Sequence, residues 1–551
     1  MNRRPWRILV TLLLSLALIH CSEPVTEDLV DNEPFPSEGG TLNRRLTSEI
    51  ATLNFVRSTT LNEKWVISLM QDALIEWNDS LELEPGLARE WTLSPDGKVI
   101  TFRLDERATW SDGKPVTSGD LIYTLKAIAN EEIPSPQFAG LFANLDLQKS
   151  RIVDEHTAEI RFTSPRAGLI QLFNIPLLPR HIYENRDHSQ PDFETVGTGP
   201  YVLAERVPGS HIRLVRRNDY WRNKPFIQEV VFRILEDDTT AWNAMKLGEL
   251  DVMSVSSDRW IQERNNPLVQ QRMNFQTFYE LEYSFIAWNN RHPILKDPRV
   301  RQAMTMSLDR GSIIENIYHG TARIITGPYT PDMWAYNPEV TAFRYDLDGA
   351  SRLLSSAGLN DTDGDGILEK DGEDFEIDLV VSSGSTISQQ IGQILQDALS
   401  TIGVKLNVVP LDRANFFARV IEGDFDAAYL AWGIDPDPDA FTTFHSSQIP
   451  PSGQNFIYYS NPRADSLIVA GRNELDQSRR QQIYRELHQV LSQDQPYTWV
   501  VQEAKKWAFN KRLRDVRMAR GIGPFLWYPG MRDWWIVPVH RKASVPERDA
   551  A

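Results

Sequence analysis

The sequence predicts a mixed α/β protein, and three observations carry that expectation. Short apolar runs of strand length recur, such as residues 229–236 (EVVFRILE) and the alternating stretch 99–105 (VITFRLD). Amphipathic runs of helical length lie among them at 120–130, 388–402 and 478–491. The composition is that of a folded chain: 551 residues, 41% hydrophobic and 24% charged. That length accommodates about three to four domains. No short internal repeat is present.

Taken in order, the chain opens on Arg3, Arg4 and Arg7, followed by the apolar run 8–19 (ILVTLLLSLALI). This is the pattern of a secretory signal, residues 1–20, and it falls short of the roughly 20 residues a membrane-spanning helix needs. No other stretch reaches that length. Leu18, Ile19, His20 and Cys21 resemble a lipobox, with His20 where a small residue is usual. Cys21 is therefore expected to carry a lipid; an uncleaved anchor or plain secretion with a stray cysteine are the alternatives. It is the only cysteine, which excludes an intramolecular disulfide and any multi-cysteine zinc or iron–sulfur site. Residues 22–40 hold six acids, no base and three prolines, a solvated linker by composition. The net charge of −17 repels phosphate backbones, so no nucleic-acid partner is expected.

Turn chemistry punctuates the first half. Ser94-Pro95-Asp96-Gly97 reads as a tight turn before the strand at 99–105. A second Asp-Gly turn, Asp112-Gly113, precedes Thr117 or Ser118 as a helix N-cap. The two glycines and the proline of 196–203 (VGTGPYVL) fix a loop entering a strand. In 388–402, Ile391, Ile394, Leu395, Ala398, Leu399 and Ile402 mark the face of a helix packed on a core. The tail 541–551 is polar.

Several blocks occur in an order that is specific. They are 85–91 (PGLAREW), 94–104 (SPDGKVITFRL), 110–121 (WSDGKPVTSGDL), 197–203 (GTGPYVL), 217–225 (RNDYWRNKP) and 247–252 (LGELDV). The series continues with 287–310 (AWNNRHPILKDPRVRQAMTMSLDR), 345–359 (YDLDGASRLLSSAGL) and 431–441 (AWGIDPDPDAF). Over roughly residues 50–500 the chain resembles the dipeptide/oligopeptide-binding family of bacterial extracellular solute-binding proteins, family 5. The resemblance implies a two-lobed, periplasmic-binding-protein-like (type II) α/β fold with an extra subdomain inserted in the first lobe. The implied division is 1–20 signal peptide, 21–40 lipid-anchored acidic linker, and 41–75, 191–285 and 501–540 as the core of lobe I. Residues 76–190 would be the inserted subdomain, 286–500 lobe II and 541–551 a tail. It also implies an ABC importer's binding component that takes a peptide or related small solute between its lobes. Such a protein meets permease subunits, sits on the outer side of a bacterial membrane by its lipid, acts as a monomer, uses no cofactor and catalyses nothing. A sugar or other non-peptide ligand, or a receptor or chaperone role, are the alternatives.

Site expectations centre on 432–439 (WGIDPDPD). In peptide-binding members an aspartate shortly after this tryptophan holds the ligand's α-amino group. The resemblance places Asp435 there, with Asp437 the other candidate, and Trp432 as a wall of the cleft. The Asp-Pro steps alone would only fix a turn. Residues 361–372 (DTDGDGILEKDG) look like a calcium loop, with Asp361, Asp363 and Asp365 at positions 1, 3 and 5 and Gly366 at 6. Position 12 is Gly372, with Glu373 one residue late, so no metal site is assigned. The aromatic clusters 525–530 (FLWYPG) and 532–535 (RDWW) line a ligand wall or, more commonly, pack a core. The sequence holds no HExxH, GxSxG or GxxxxGK[ST] motif, and no catalytic residue is assigned.

Overall fold

A computed structural model describes residues 35–517 and 530–537, except 131–132, 134–137, 139–141, 143, 187–191 and 452. The signal segment, Cys21, residues 525–529 and the tail 541–551 lie outside the described residues.

The sequence pattern and the elements agree closely. The run at 388–402 forms the helix Thr386–Ser400, with Ser385 as N-cap and Ile391, Leu395 and Leu399 fully buried. The other two runs form Ser118–Ala129 and Gln477–Asp494. Thr117 caps the former, and Asp120 accepts from the Thr117 N–H at 2.8 Å. The strand stretches appear as Val99–Leu104 and Glu229–Ile234. The turn at 94–97 closes with the Gly97 N–H on the Ser94 carbonyl at 2.8 Å. In the 196–203 loop, Gly199 has a reason beyond turn-making. A Cβ there would fall 2.5 Å from the Met70 carbonyl carbon, where the loop crosses the end of the helix Leu61–Met70.

One twelve-stranded sheet, counted among the described residues, organises the molecule. Its central strand is Tyr497–Asn510, fourteen residues long and almost continuously buried. The first part of that strand pairs with Glu282–Trp288, the last part with Met273–Tyr279 and Val252–Ser254. On one side follow Ala427–Gly433, Glu376–Ser382 and Lys405–Leu411, mutually parallel and connected through the helices Thr386–Ser400 and Arg413–Glu422. On the other follow Thr41–Leu46, Glu229–Ile234, His211–Arg216 and Tyr201–Val207. The chain therefore passes between two halves at 280–281 and again near 501–504.

The apolar clusters divide along the same line. Two clusters take their fully buried members from residues 281–501. Two others, one of them the largest, take theirs from 42–278 and 507–536. Each half thus has its own core, as two lobes require. A separate antiparallel sheet, Ala88–Leu93, Val99–Leu104, Thr157–Arg161 and Arg151–Asp154, belongs to the first half and shares that half's main cluster. Trp534 and Trp535 are buried in that half, Trp534 against Phe509 at 5.9 Å, so they pack a core. Among the described residues no helix is long and apolar enough to cross a membrane.

Candidate ligand-binding cleft

The segment 432–439 leaves the end of the strand Ala427–Gly433 at the crossing between the halves. Gly433 still pairs with Glu282, and the Ile434 N–H donates to the Leu281 carbonyl at 2.7 Å. Beyond that bond the chain is released from the sheet. Space opens there: a Cβ on Gly433 would meet nothing within 4 Å.

The three aspartates then part company. Asp437 is held by Arg480 in a two-pronged pair, Nη1 to Oδ2 at 2.6 Å and Nη2 to Oδ1 at 2.9 Å. The Arg480 side chain is only 3% exposed, and its Nε donates to the Gly471 carbonyl. Burial alone would lower this guanidinium; the Asp437 carboxylate outweighs that and holds it above the usual arginine value. Asp439 lies 2.9 Å from Arg166 and 3.1 Å from Arg472. Between them, the Pro438 carbonyl accepts from the buried Tyr329 hydroxyl at 3.2 Å. Four side chains pin 437–439, and sequence reading identified none of them.

Asp435 is placed differently. It is exposed and forms no ion pair among the described residues, yet its carboxyl is raised above the ordinary aspartate value. Crowding by surrounding protein is the first cause and the Asp437 charge the second; Lys64 and Arg166, both from the first half, pull the other way. Accessibility and crowding point in opposite directions here. A concave wall produces both at once, and accessibility decides what a ligand can touch. Trp432 lies close by in sequence, half-buried, with its ring 6.1 Å from Phe285 and 5.9 Å from Phe456. Its Nε1 donates to the Tyr497 hydroxyl at 3.4 Å. One side of the ring is thereby fixed on the core of the second half.

The loop at 361–369 brings carboxylate oxygens of Asp361, Asp363, Asp365 and Glu369 within 4.8 Å of one another. The fourth carboxylate is Glu369; Gly372 lies in the turn of the next short hairpin and Glu373 begins its second strand. Backbone N–H groups donate to the same carboxylates: Gly364 and Gly366 to Asp361, Ile367 to Asp365, Thr362 to Glu369.

Known proteins share this architecture. The chain is 25% identical over 521 residues to the oligopeptide-binding protein AppA of Bacillus subtilis (strain 168), covering 93% of this chain and 95% of that one. It is 24% identical over 455 residues to the dipeptide-binding protein of Escherichia coli (strain K12), covering 78% and 82%. The solved structure of NikA from Brucella suis in complex with Fe(III)-EDTA matches with a TM-score of 0.79 at 22% identity. That match covers 90% of this chain and 100% of that one, and shows the shared periplasmic-binding-protein fold. The model for the middle region of bacterial extracellular solute-binding proteins, family 5, matches residues 82–450, more than half of the sequence, and the chain belongs to that family.

Proposed function

We propose that this protein captures peptides between its two lobes and delivers them to the permease of an ABC importer, performing no chemistry on them. The observation that carries the reading is the division of labour among the aspartates. Asp437 and Asp439 are committed to arginines, whereas Asp435 stands open at the crossing of the halves. An ammonium group there gains a charge-assisted hydrogen bond and supplies opposite charge to a carboxylate whose ionised form crowding disfavours. We therefore assign the ligand's α-amino group to Asp435 rather than Asp437, and a wall of the cleft to Trp432. Relatives named for oligopeptide and dipeptide ligands support the substrate class. Main-chain hydrogen bonds to the strand end at 431–434 would supply sequence-tolerant affinity. A micromolar ligand needs only about 8 kcal/mol in all.

In the same reading, residues 76–190 act as a subdomain of the first lobe and the protein works as a monomer. The signal segment and Cys21 would tether it by lipid, with 22–40 as the spacer, on the outer face of a bacterial membrane. Fatty-acid labelling that is lost in Cys21→Ala tests the tether.

Calorimetry tests the site. Asp435→Asn should weaken free-amine peptides at least tenfold and leave their N-acetylated forms nearly unchanged. Equal losses for both would remove the amine role. Mass spectrometry of what co-purifies tests the ligand class: peptides are expected, and a sugar or metal chelate would overturn it.

A further inference from the structure

The 435–439 segment is gripped from both halves of the molecule, and Asp439 is where the grips meet. Arg472, on the helix Pro462–Asn473 of the second half, lies 3.1 Å from Asp439 Oδ2. Arg166, from the loop after the strand Thr157–Arg161 of the first half, lies 2.9 Å from the same oxygen. Both ends of this second contact are well shielded, 13% exposed at Arg166 and 10% at Asp439. The neighbouring backbone follows the same line: the Ala167 N–H donates to the Arg472 carbonyl at 2.7 Å. Gly168 then crosses Asp437 so closely that a Cβ would fall 2.4 Å from its Oδ2. Elsewhere the first half touches the second through Leu81, packed on the core of the latter, and through Gly97, where a Cβ would stand 3.4 Å from Leu475. The strip 166–168 is the part of this contact surface that bears on the carboxylate segment, and Arg166 supplies its charge.

We propose that Arg166 is a positioning residue for the amine site. By reaching from the first half to Asp439 it holds the 435–439 segment with Asp435 presented to the ligand, and it slows the parting of the halves while ligand is bound. The inference rests on the reading of Asp435 as the amine-binding group. Removing one partner of a shielded charge pair acts mainly on dissociation, so the signature is kinetic. A second signature is electrostatic. Arg166 and Lys64 offset the two neighbouring aspartates at Asp435, so loss of Arg166 must raise the pH below which a free-amine peptide is released.

The test compares wild type, Arg166→Met, Arg166→Lys, Asp439→Asn and Asp435→Asn, each checked for an unchanged melting transition. The probe is an equimolar pool of tri- to pentapeptides, free or N-acetylated, with retention after dilution followed by mass spectrometry. Arg166→Met is expected to speed release of both pools about tenfold and to move the acid-release midpoint of the free-amine pool upward. Arg166→Lys should restore most of each, and Arg166→Met should add no further loss of retention to Asp439→Asn. Release rate and midpoint both unchanged in Arg166→Met, with Asp435→Asn still discriminating between the pools, overturns this inference alone. Equal loss of both pools in Asp435→Asn, or no retention by wild type, removes the underlying reading and this inference with it.

Discussion

Arg480 and Asp437 show how one buried pair decides which neighbouring carboxylate is available. Arg480→Met leaves a partly buried aspartate without its partner and is expected to lower the free energy of unfolding by about 3 to 5 kcal/mol, read from denaturant titration. Gly168 makes a related demand through space. Its φ of +76° and its approach to Asp437 leave no room for a side chain, and Arg480 keeps Asp437 from moving aside. Gly168→Ala should therefore cost roughly 2 to 3 kcal/mol and lower the melting temperature. The choice between Asp435 and Asp437 was not legible in the sequence. Asp437 finds its arginine 43 residues away, on a helix whose pattern shows only that it is a helix. At Asp435 itself, acidification protonates a carboxyl already raised above its usual value. Affinity for a free-amine peptide should fall as pH drops through that raised value, and the N-acetylated peptide should show no such loss. Calorimetry at stepped pH reads both.

At the scale of elements, the crossing points carry their own charges. Glu280, in the turn between Met273–Tyr279 and Glu282–Trp288, has its carboxyl pushed up to about 7 by burial. The Lys505 charge, 4.0 Å from Glu280 and 2.5 Å from Glu282, is the next largest influence and opposes that shift without cancelling it. The adjacent Glu282 charge raises Glu280 further. A carboxyl raised from 4.5 to about 7 binds its proton more tightly folded than unfolded. Its stabilising contribution is complete below about pH 4.5 and is lost as pH rises through about 7, by at most roughly 3 kcal/mol. Glu280→Gln should flatten that part of the stability profile, as measured by melting at pH 5, 6, 7 and 8. The strands and helices around this turn were legible from their periods of 2 and 3.6. The turn's chemistry was not, because it depends on a strand more than 200 residues further along the chain. The block 217–225 is scaffold for a similar reason. In 217–225, Tyr220 and Trp221 both donate to the buried Asp72, which Arg532 also contacts at 2.5 Å.

For the whole molecule, the ordered blocks were enough to indicate two lobes, and the cores divide accordingly. They could not indicate how tightly the lobes are bound together. A single strand, Tyr497–Asn510, completes the sheet on both sides, and Gln502 within it ties to the Glu280 carbonyl at 2.7 Å. Heating should therefore give one cooperative calorimetric transition rather than two, and Gln502→Ala should broaden or split it. The position of that strand in the chain has a further effect. Every other strand of the twelve-stranded sheet precedes Tyr497–Asn510 in the chain, so neither half of that sheet can be completed before this strand is present. A chain ordered this way stays open until that strand arrives, and the two halves then close in one late step.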